Sequence, residues 1–131
     1  MSAHMLEELI IRTSSEPALR ADLIAALLNS RVAVPLDKGL ENGVLAPGFK
    51  PMTLNSPHGF PVLAVFTSPD KISPWLKDQP AFQHSLVTEF EWALGITHPP
   101  FGIAVHPGYR HSVVLSPVEV EELRASARHA T

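Results

Sequence analysis

The placement of proline constrains this chain more than any other feature of its sequence. There are 13 prolines in 131 residues, about twice the ordinary share of roughly 5%. Proline fixes φ and removes a backbone donor, so it suits the first turn of a helix and interrupts helix interiors and central strands. Pro17, Pro69 and Pro117 stand where helices are predicted to begin, whereas five others fall in the stretch 35–61. The prolines therefore predict three helix starts and one irregular segment, Asp37–Pro61, which we interpret as a lid or a binding surface.

The rest of the composition excludes several classes of protein. The absence of cysteine rules out a disulfide scaffold, a thiolate metal site and a cysteine nucleophile. The net charge is −3, and the ten Lys and Arg residues are scattered rather than clustered as nucleic-acid binding requires. The longest apolar run, Val62–Phe66, has the length of a strand and not of a membrane span. Since the N-terminus also lacks a basic and apolar leader, the sequence predicts a cytoplasmic protein that binds neither nucleic acid nor membrane.

Hydrophobic patterning predicts several strands. Val62–Thr67 is almost continuously apolar, which is typical of a central strand covered on both faces. Arg31–Leu36 is rich in β-branched residues and also predicts a strand, with Pro35 favouring a sheet edge or the strand end. Phe101–His106 and His111–Leu115 flank a Pro-Gly turn and predict a β-hairpin.

Serine side chains are predicted to cap three helices, at Ser15, Ser68 and Ser116. The clearest signal is Ser116-Pro117-Val118-Glu119, which matches a capping box with proline at the first helical position. A further helix is predicted over Asp78–Leu94, with Gly95 just past its end. Its apolar stripe consists of Phe82, Leu86, Phe90, Ala93 and Leu94.

The order of these elements favours the α+β class. Strands and helices do not alternate strictly, and the last two strands form a hairpin, which argues against a doubly wound parallel sheet. We therefore expect one mixed, largely antiparallel sheet of about five strands, with helices packed on it and a helix at the C-terminus. Since no interior linker is long enough to split the chain, residues 1–131 are interpreted as a single domain.

Four segments, in this order, resemble one known family: Ala25–Leu36, Phe60–Asp70 together with Trp75, Phe101–Gly108 and Val113–Val120. Their order and spacing are similar to the SseB protein N-terminal domain family, the enhanced serine sensitivity proteins of bacteria, over residues 18–124. The resemblance implies an α+β domain of unassigned biochemical activity, with no established catalytic motif to carry over to particular residues. Longer members add a second, C-terminal domain, which we expect this chain to be without.

Histidine is the residue type with side-chain chemistry that is unusually frequent here, with seven in the chain. His98, His106 and His111 lie near the predicted hairpin, and a carboxylate beside them would complete the three or four ligands that zinc prefers. However, no His-x-Glu or His-Glu-x-x-His spacing accompanies them. We therefore predict no metal and no cofactor, and we retain the three histidines as candidate ligand or partner contacts.

A catalytic nucleophile is not indicated. Ser68 and Ser116 each precede a proline at a predicted helix start, so capping explains both without catalysis. The sequence has no Gly-x-Ser-x-Gly elbow, and its glycines do not have the spacing of a phosphate-binding loop. The prediction is accordingly that the chain has no catalytic residue.

Two aromatic side chains are further candidate contacts. Trp75 is expected to pack over the central strand, with a surface groove as the alternative. Tyr109 lies at the predicted turn tip beside Arg110, and an exposed aromatic next to arginine is typical of interface hot spots.

Two functions remain open at this point. The first is a non-enzymatic interaction or regulatory module that presents a sheet face or the His106–His111 hairpin to a protein partner or to a second copy. The alternative is a small-molecule-binding protein or a hydrolase-like enzyme that uses a histidine-rich rim near the hairpin, with Asp37–Pro61 as its lid.

Overall fold

The chain folds into helices and strands that alternate irregularly. The computed structural model describes residues 3–42 and 44–130, and this part of the chain has four α-helices and eight strands. The helices are α1 (Ala3–Ser15), α2 (Arg20–Leu28), α3 (Phe90–Ile96) and α4 (Pro117–Ala130), with 3₁₀ turns at Pro17–Leu19 and Pro69–Trp75. The strands are β1 (Arg31–Leu36), β2 (Leu40–Glu41), β3 (Val44–Leu45), β4 (Thr53–Asn55), β5 (Pro61–Val65), β6 (His84–Glu89), β7 (Gly102–Val105) and β8 (Val113–Leu115).

Strand pairing is mixed but largely antiparallel. The main sheet has the order β4-β5-β7-β8, and β5 and β7 are the parallel pair within it. The remaining pairs, β1 with β6, β2 with β3, β4 with β5 and β7 with β8, are antiparallel. The α+β class, the C-terminal helix and the β7–β8 hairpin are thereby confirmed.

The strands form one sheet of four and two pairs, and Pro35 explains the division. On the side of β1 that faces away from β6, Ala33 and Phe66 exchange both backbone hydrogen bonds, at 2.7 and 2.9 Å. Further along, the Pro35 carbonyl accepts the Met52 N–H at 3.0 Å. Because proline has no N–H to return, this side of β1 is joined to the main sheet by isolated bridges rather than by a continuous ladder.

The central strand β5 is buried on both faces, as its apolar sequence predicts. Leu63 and Val65 face the main core, which all four helices cover. Ala64 and, just past the strand, Phe66 face a second, smaller cluster under the 3₁₀ turn Pro69–Trp75. Helices therefore cover one face of the main sheet, and irregular segments cover part of the other.

The helix predicted over Asp78–Leu94 is wrong in its first half. His84–Glu89 is strand β6, and α3 begins only after it and includes Gly95 rather than ending before it. The apolar spacing fits a helix, whereas the adjacent β-branched residues Val87 and Thr88 favour a strand. Pairing with β1 along its full length decides between these two local preferences.

The three predicted serine caps have different outcomes. The capping box of α4 is confirmed, since the Glu119 N–H donates to Ser116 Oγ at 3.2 Å and the Ser116 N–H donates to Glu119 Oε1 at 3.0 Å. The prediction for Ser15 is wrong: α1 extends to this residue, and its hydroxyl donates to a carbonyl of α1 at 3.2 Å. Ser68 occupies the N-cap position, but its hydroxyl donates to the Asp70 carboxylate and accepts no hydrogen bond from the helix backbone.

The capping box also holds α4 against the rest of the fold. Arg20 donates to both carboxylate oxygens of Glu119, at 3.1 and 2.9 Å, and to the Val114 carbonyl at 3.0 Å. Burial alone would raise the pKa of Glu119, but the Ser116 N–H and the Arg20 guanidinium outweigh burial and keep this pKa below its ordinary value.

Of the helices in the described residues, none has the length and apolar character that crossing a membrane requires.

Candidate functional site

The turn after β7 gathers four of the six candidate contact residues. His106, Tyr109, Arg110 and His111 line a pocket of about 170 Å³, together with side chains of α1 and Lys71. The chain enters this turn through His106, which has a φ of +57°, in the left-handed region that few non-glycine residues adopt. His106 is buried there, with 5% of the residue exposed.

His106 accepts a backbone hydrogen bond from the end of β5. The Thr67 N–H donates to His106 Nε2 at 3.1 Å, and Thr67 Oγ1 lies 2.9 Å from the same nitrogen. The Thr67 hydroxyl in turn donates to Glu7 Oε1 of α1 at 2.7 Å. Because Nε2 accepts an N–H, the ring is neutral there and carries its proton on Nδ1. We call Glu7, Thr67 and His106 the His106 cluster.

The surroundings of His106 favour this neutral ring. Burial lowers the pKa of His106 below its ordinary 6.5, and the Lys71 ammonium lowers it further, whereas the carboxylates of Glu7 and Asp70 oppose that shift. The net direction is downward. Hydrogen-bond geometry and pKa therefore agree on the same protonation state.

The His106 cluster has the side-chain types of a catalytic triad without the geometry of one. A nucleophile must reach the substrate and pass its proton to a base. The Thr67 hydroxyl donates its proton to Glu7, and Thr67 is only 6% exposed. The arrangement instead ties α1 to the ends of β5 and β7, where it satisfies polar groups that would be costly to bury unpaired.

Tyr109 is half-buried, and not exposed as its place beside Arg110 had indicated. Its hydroxyl donates to the Lys71 carbonyl at 2.7 Å, its ring centroid lies 5.1 Å from that of His106, and the Lys71 ammonium lies 5.9 Å from the Tyr109 centroid. Burial raises the pKa of Tyr109 above its ordinary 10.0. The phenol is thus a neutral donor that is already used inside the protein, while Arg110 is exposed.

Trp75 packs on the second cluster beside β5, where the sequence placed it. Its Nε1–H donates to the Pro107 carbonyl at 2.7 Å. Gly108 has a φ of +83°, and a Cβ at this position would lie 2.8 Å from Trp75 Cζ2. Only glycine combines this backbone conformation with so close an approach, so the turn and the indole hold each other in place.

The predicted histidine-rich rim does not form as one site. His111 Nδ1 lies 3.0 Å from Ser14 Oγ of α1, at the pocket that His106 also lines. His98 lies outside that pocket, between α3 and β7, and Arg124 of α4 lies 3.2 Å from its Nδ1. Among the described residues, no three His, Cys, Asp or Glu side chains are grouped so that they could hold a metal ion.

A second feature of interest is the outer edge of β6, whose orientation follows from the bonds of β1. Ala33 directs its N–H and C=O away from β6, towards Phe66. Backbone groups alternate sides along a strand, so Val34 directs its groups towards β6, where its partner is Leu86. The backbone groups of His84, Leu86 and Thr88 therefore bond to β1. Those of the residues between and after them, Ser85, Val87 and Glu89, are directed to the opposite side, away from β1.

This outer edge has no partner strand in the part of the chain that the structure describes. Within residues 3–42 and 44–130, no strand other than β1 pairs with β6. Proteins usually protect such an edge with proline, lysine, a bulge or a covering segment, but His84–Glu89 contains neither proline nor lysine. Val87, at its middle, is 49% exposed. We call Ser85–Glu89 the β6 edge.

The sequence indicated neither the contacts of the His106 cluster nor the β6 edge. Thr67 and Glu7 are 60 residues apart, and neither residue belongs to a motif that would connect them. The β6 edge was hidden inside a helical apolar pattern, and the adjacent pair Val87 and Thr88 was the available signal for a strand.

The fold and these features define a small α+β domain in which helices cover one face of a four-stranded sheet, and in which the outer edge of β6 has no partner strand among the described residues. The chain belongs to the SseB family: the family model of the SseB protein N-terminal domain matches residues 6–122. A search of the curated proteins and of the solved structures found no match.

Proposed function

We propose that the domain is a non-enzymatic protein-interaction module and that it associates with a second copy of itself through the β6 edge. One observation carries the proposal: the outward backbone groups of Ser85 and Val87 have no partner among the described residues. Strand addition satisfies such groups, because main-chain hydrogen bonds provide affinity and alternate side chains provide specificity.

The β6 edge is self-complementary in its backbone. In an antiparallel pairing about a two-fold axis at Val87, each Val87 bonds to the Val87 of the second copy through both N–H and C=O. The same register places Ser85 opposite Glu89, whose outward N–H then donates to the Ser85 carbonyl. Both copies use the same short segment, as an isologous interface requires.

The side chains of the edge are compatible with this pairing. Two half-exposed valines meet at the axis, and cross-strand pairs of β-branched residues are favourable. The only charged side chain of the β6 edge, Glu89, lies opposite Ser85 of the second copy and not opposite the second Glu89. Two negative charges are therefore not placed against each other. Five residues from each copy form a small interface, for which we expect weak association at the low end of specific complexes.

The alternative, an enzyme or binding protein built on a histidine-rich rim, has less support. His98 lies outside the pocket that His106 lines. The Thr67 hydroxyl, which is the polar group nearest the buried imidazole, is itself buried and donates to Glu7.

The experiment compares two substitutions at one position. Val87→Pro removes the outward N–H without touching a bond to β1, whereas Val87→Thr keeps the N–H and the β-branched shape. Sedimentation velocity over a dilution series from micromolar to millimolar protein is the measurement, with hydrogen exchange of the Val87 amide as a second readout. Val118→Thr is the control, because Val118 is 66% exposed on α4. This variant shows whether an exposed valine elsewhere on the surface causes nonspecific association.

We expect the wild type, Val87→Thr and Val118→Thr to shift reversibly from monomer to dimer, with Val87 protection rising with concentration. Val87→Pro should stay monomeric. A wild type that is monomeric throughout, a Val87→Pro protein that still dimerises, or an edge that pairs only with a different protein would each overturn the proposal.

A further inference from the structure

A second cavity, of about 370 Å³, lies between the start of the main sheet and the end of α3, and it shares no lining residue with the pocket at His106. Its floor is Leu63, which is 3% exposed, and its walls are the half-buried Phe82, Ile96 and Phe101. Ligand pockets typically measure about 300–1,000 Å³ and are mostly apolar with few polar groups. This cavity has that size and that lining.

The polar groups lie at the exposed side of this cavity. Lys50 and Thr53 both line it and are exposed to solvent. They belong to the irregular segment Asp37–Pro61, which the proline pattern had singled out as a binding surface. Thr97, deeper in the cavity, already donates its hydroxyl proton to the Ala93 carbonyl at 2.6 Å, so Thr53 is the hydroxyl left to bind a ligand.

Lys50 gives the cavity one uncompensated positive charge. Among the described residues that line it, Lys50 is the charged one. Asp37 accepts the backbone N–H of Lys50 at 2.6 Å. No carboxylate whose side chain the structure describes lies within ion-pair distance of the Lys50 ammonium. A ligand that brings one negative charge to the rim of an apolar cavity would complement this arrangement.

We propose that the cavity binds a hydrophobic monocarboxylate. The apolar body lies over Leu63 between Phe82 and Phe101, and the carboxylate accepts hydrogen bonds from the Lys50 ammonium and the Thr53 hydroxyl. The ligand class follows from one cation beside an apolar chamber, since a second anionic group on the ligand would have no partner there. This site is independent of the β6 edge, so either proposal stands without the other.

Two other cavities do not define a ligand in this way. A cavity of about 420 Å³ on the outer face of the main sheet has no Lys, Arg, Asp or Glu among the described residues that line it. The pocket at His106 is smaller, about 170 Å³, and combines the charges of Glu7, Lys71 and Arg110, and its size is below the usual range for ligands.

The test uses three probes that differ in charge on the same carbon skeleton: 4-phenylbutanoate, 4-phenylbutanamide and 4-phenylbutylamine. Octanoate is the aliphatic counterpart and distinguishes fatty acids from aromatic acids. Titrations are followed by ¹H–¹⁵N spectra at the Lys50, Thr53 and Thr97 amides. Lys50→Gln removes the charge, and Lys38→Gln is the matched control, because Lys38 lies in the same segment and donates to the Pro47 carbonyl instead.

We expect the acid to bind about threefold to fivefold more tightly than the amide, as for an exposed ion pair, and the amine to bind most weakly. High salt and Lys50→Gln should both abolish the preference for the acid, while Lys38→Gln and the monomeric Val87→Pro protein should keep it. Ile96→Trp should block all the probes by filling the cavity, and Thr53→Trp obstructs the rim if the first substitution disturbs folding. Equal affinity for the three charge types, an acid preference that survives Lys50→Gln, or no titration at these amides would contradict the proposal.

Discussion

The His106 cluster and the β6 edge treat polar groups in opposite ways. In the cluster, side chains from three distant parts of the chain are joined inside the protein, since the Thr67 N–H donates to His106 Nε2 and the Thr67 hydroxyl donates to Glu7 Oε1. At the β6 edge, backbone donors and acceptors that are just as strong face solvent without a partner among the described residues. Conspicuous side chains such as histidine and tyrosine are therefore structural here. The backbone N–H and C=O groups that have no partner among the described residues belong instead to an ordinary strand.

The largest expected effect tests which residues of β6 face β1. Leu86→Pro removes an N–H that bonds to Val34, so we expect a loss of about 3 kcal/mol in the free energy of unfolding. Val87→Pro removes an N–H that faces solvent, and should cost under about 1 kcal/mol. Urea denaturation followed by circular dichroism measures both. If the two prolines destabilise the monomer equally, the assigned orientation of the edge is incorrect.

The next effect separates a structural histidine from an exposed one. His106→Ala leaves the buried Thr67 N–H without its acceptor, and we expect a loss of about 2 kcal/mol in the free energy of unfolding. His98→Ala, in an exposed loop, should change stability by less than about 0.5 kcal/mol. Thermal and urea unfolding of the two variants provide the comparison. Equal and negligible changes would show that the cluster does not stabilise the fold.

Tyr109→Phe is expected to have a smaller effect, because it removes one hydrogen bond and keeps the ring. The lost bond to the Lys71 carbonyl should cost about 1 kcal/mol in the free energy of unfolding, with no change in self-association. Urea denaturation and sedimentation velocity on the same samples measure the two quantities. Weakened association with unchanged stability would make Tyr109 an interface residue and not a structural one.

The smallest effect is the pH dependence that His106 contributes. Its folded pKa lies below the ordinary 6.5, so the unfolded chain binds more protons between the folded pKa and 6.5. The contribution to stability is therefore full above pH 6.5 and declines as pH falls from 6.5 through the folded pKa.

The check for this contribution is the difference between the stability–pH curves of the wild type and His106→Gln. Glutamine keeps an acceptor for the Thr67 N–H and does not titrate in this range. A wild-type curve that falls below pH 6.5 no more steeply than the His106→Gln curve would count against a neutral, buried His106.

Much of the fold was predictable where a local signal and the tertiary environment agree. The apolar run Val62–Phe66 predicted a central strand, and both faces of β5 are buried. Ser116 and Glu119 predicted a capping box, and both of its hydrogen bonds form. In each case the neighbours along the chain carry the whole signal, so no distant residue was needed.

The candidate sites were less predictable, because they depend on contacts between distant residues. The sequence predicts His98, His106 and His111 together as contact residues, whereas His106 bonds to Thr67, which bonds in turn to Glu7, and no spacing connects these residues. Tyr109 was expected to be exposed from its place in a turn, yet the turn folds back and its hydroxyl donates to Lys71. The cavity at Lys50 combines residues that are far apart along the chain, and Asp37–Pro61 supplies one part of its lining.

Local sequence pattern is enough to predict the α+β class, the central strand, the terminal hairpin and the capped C-terminal helix, since each depends on periodicity or on residues within one turn of one another. The assignment of His84–Glu89 to a strand depends on a distant segment, because its apolar spacing fits a helix and only pairing with β1, in register along the whole of β6, favours the strand. In the part of the chain that the structure describes, the same pairing leaves the opposite edge of β6 without a partner strand. Tertiary packing determines which polar groups have hydrogen-bond partners, and the periodicity of the sequence does not predict this.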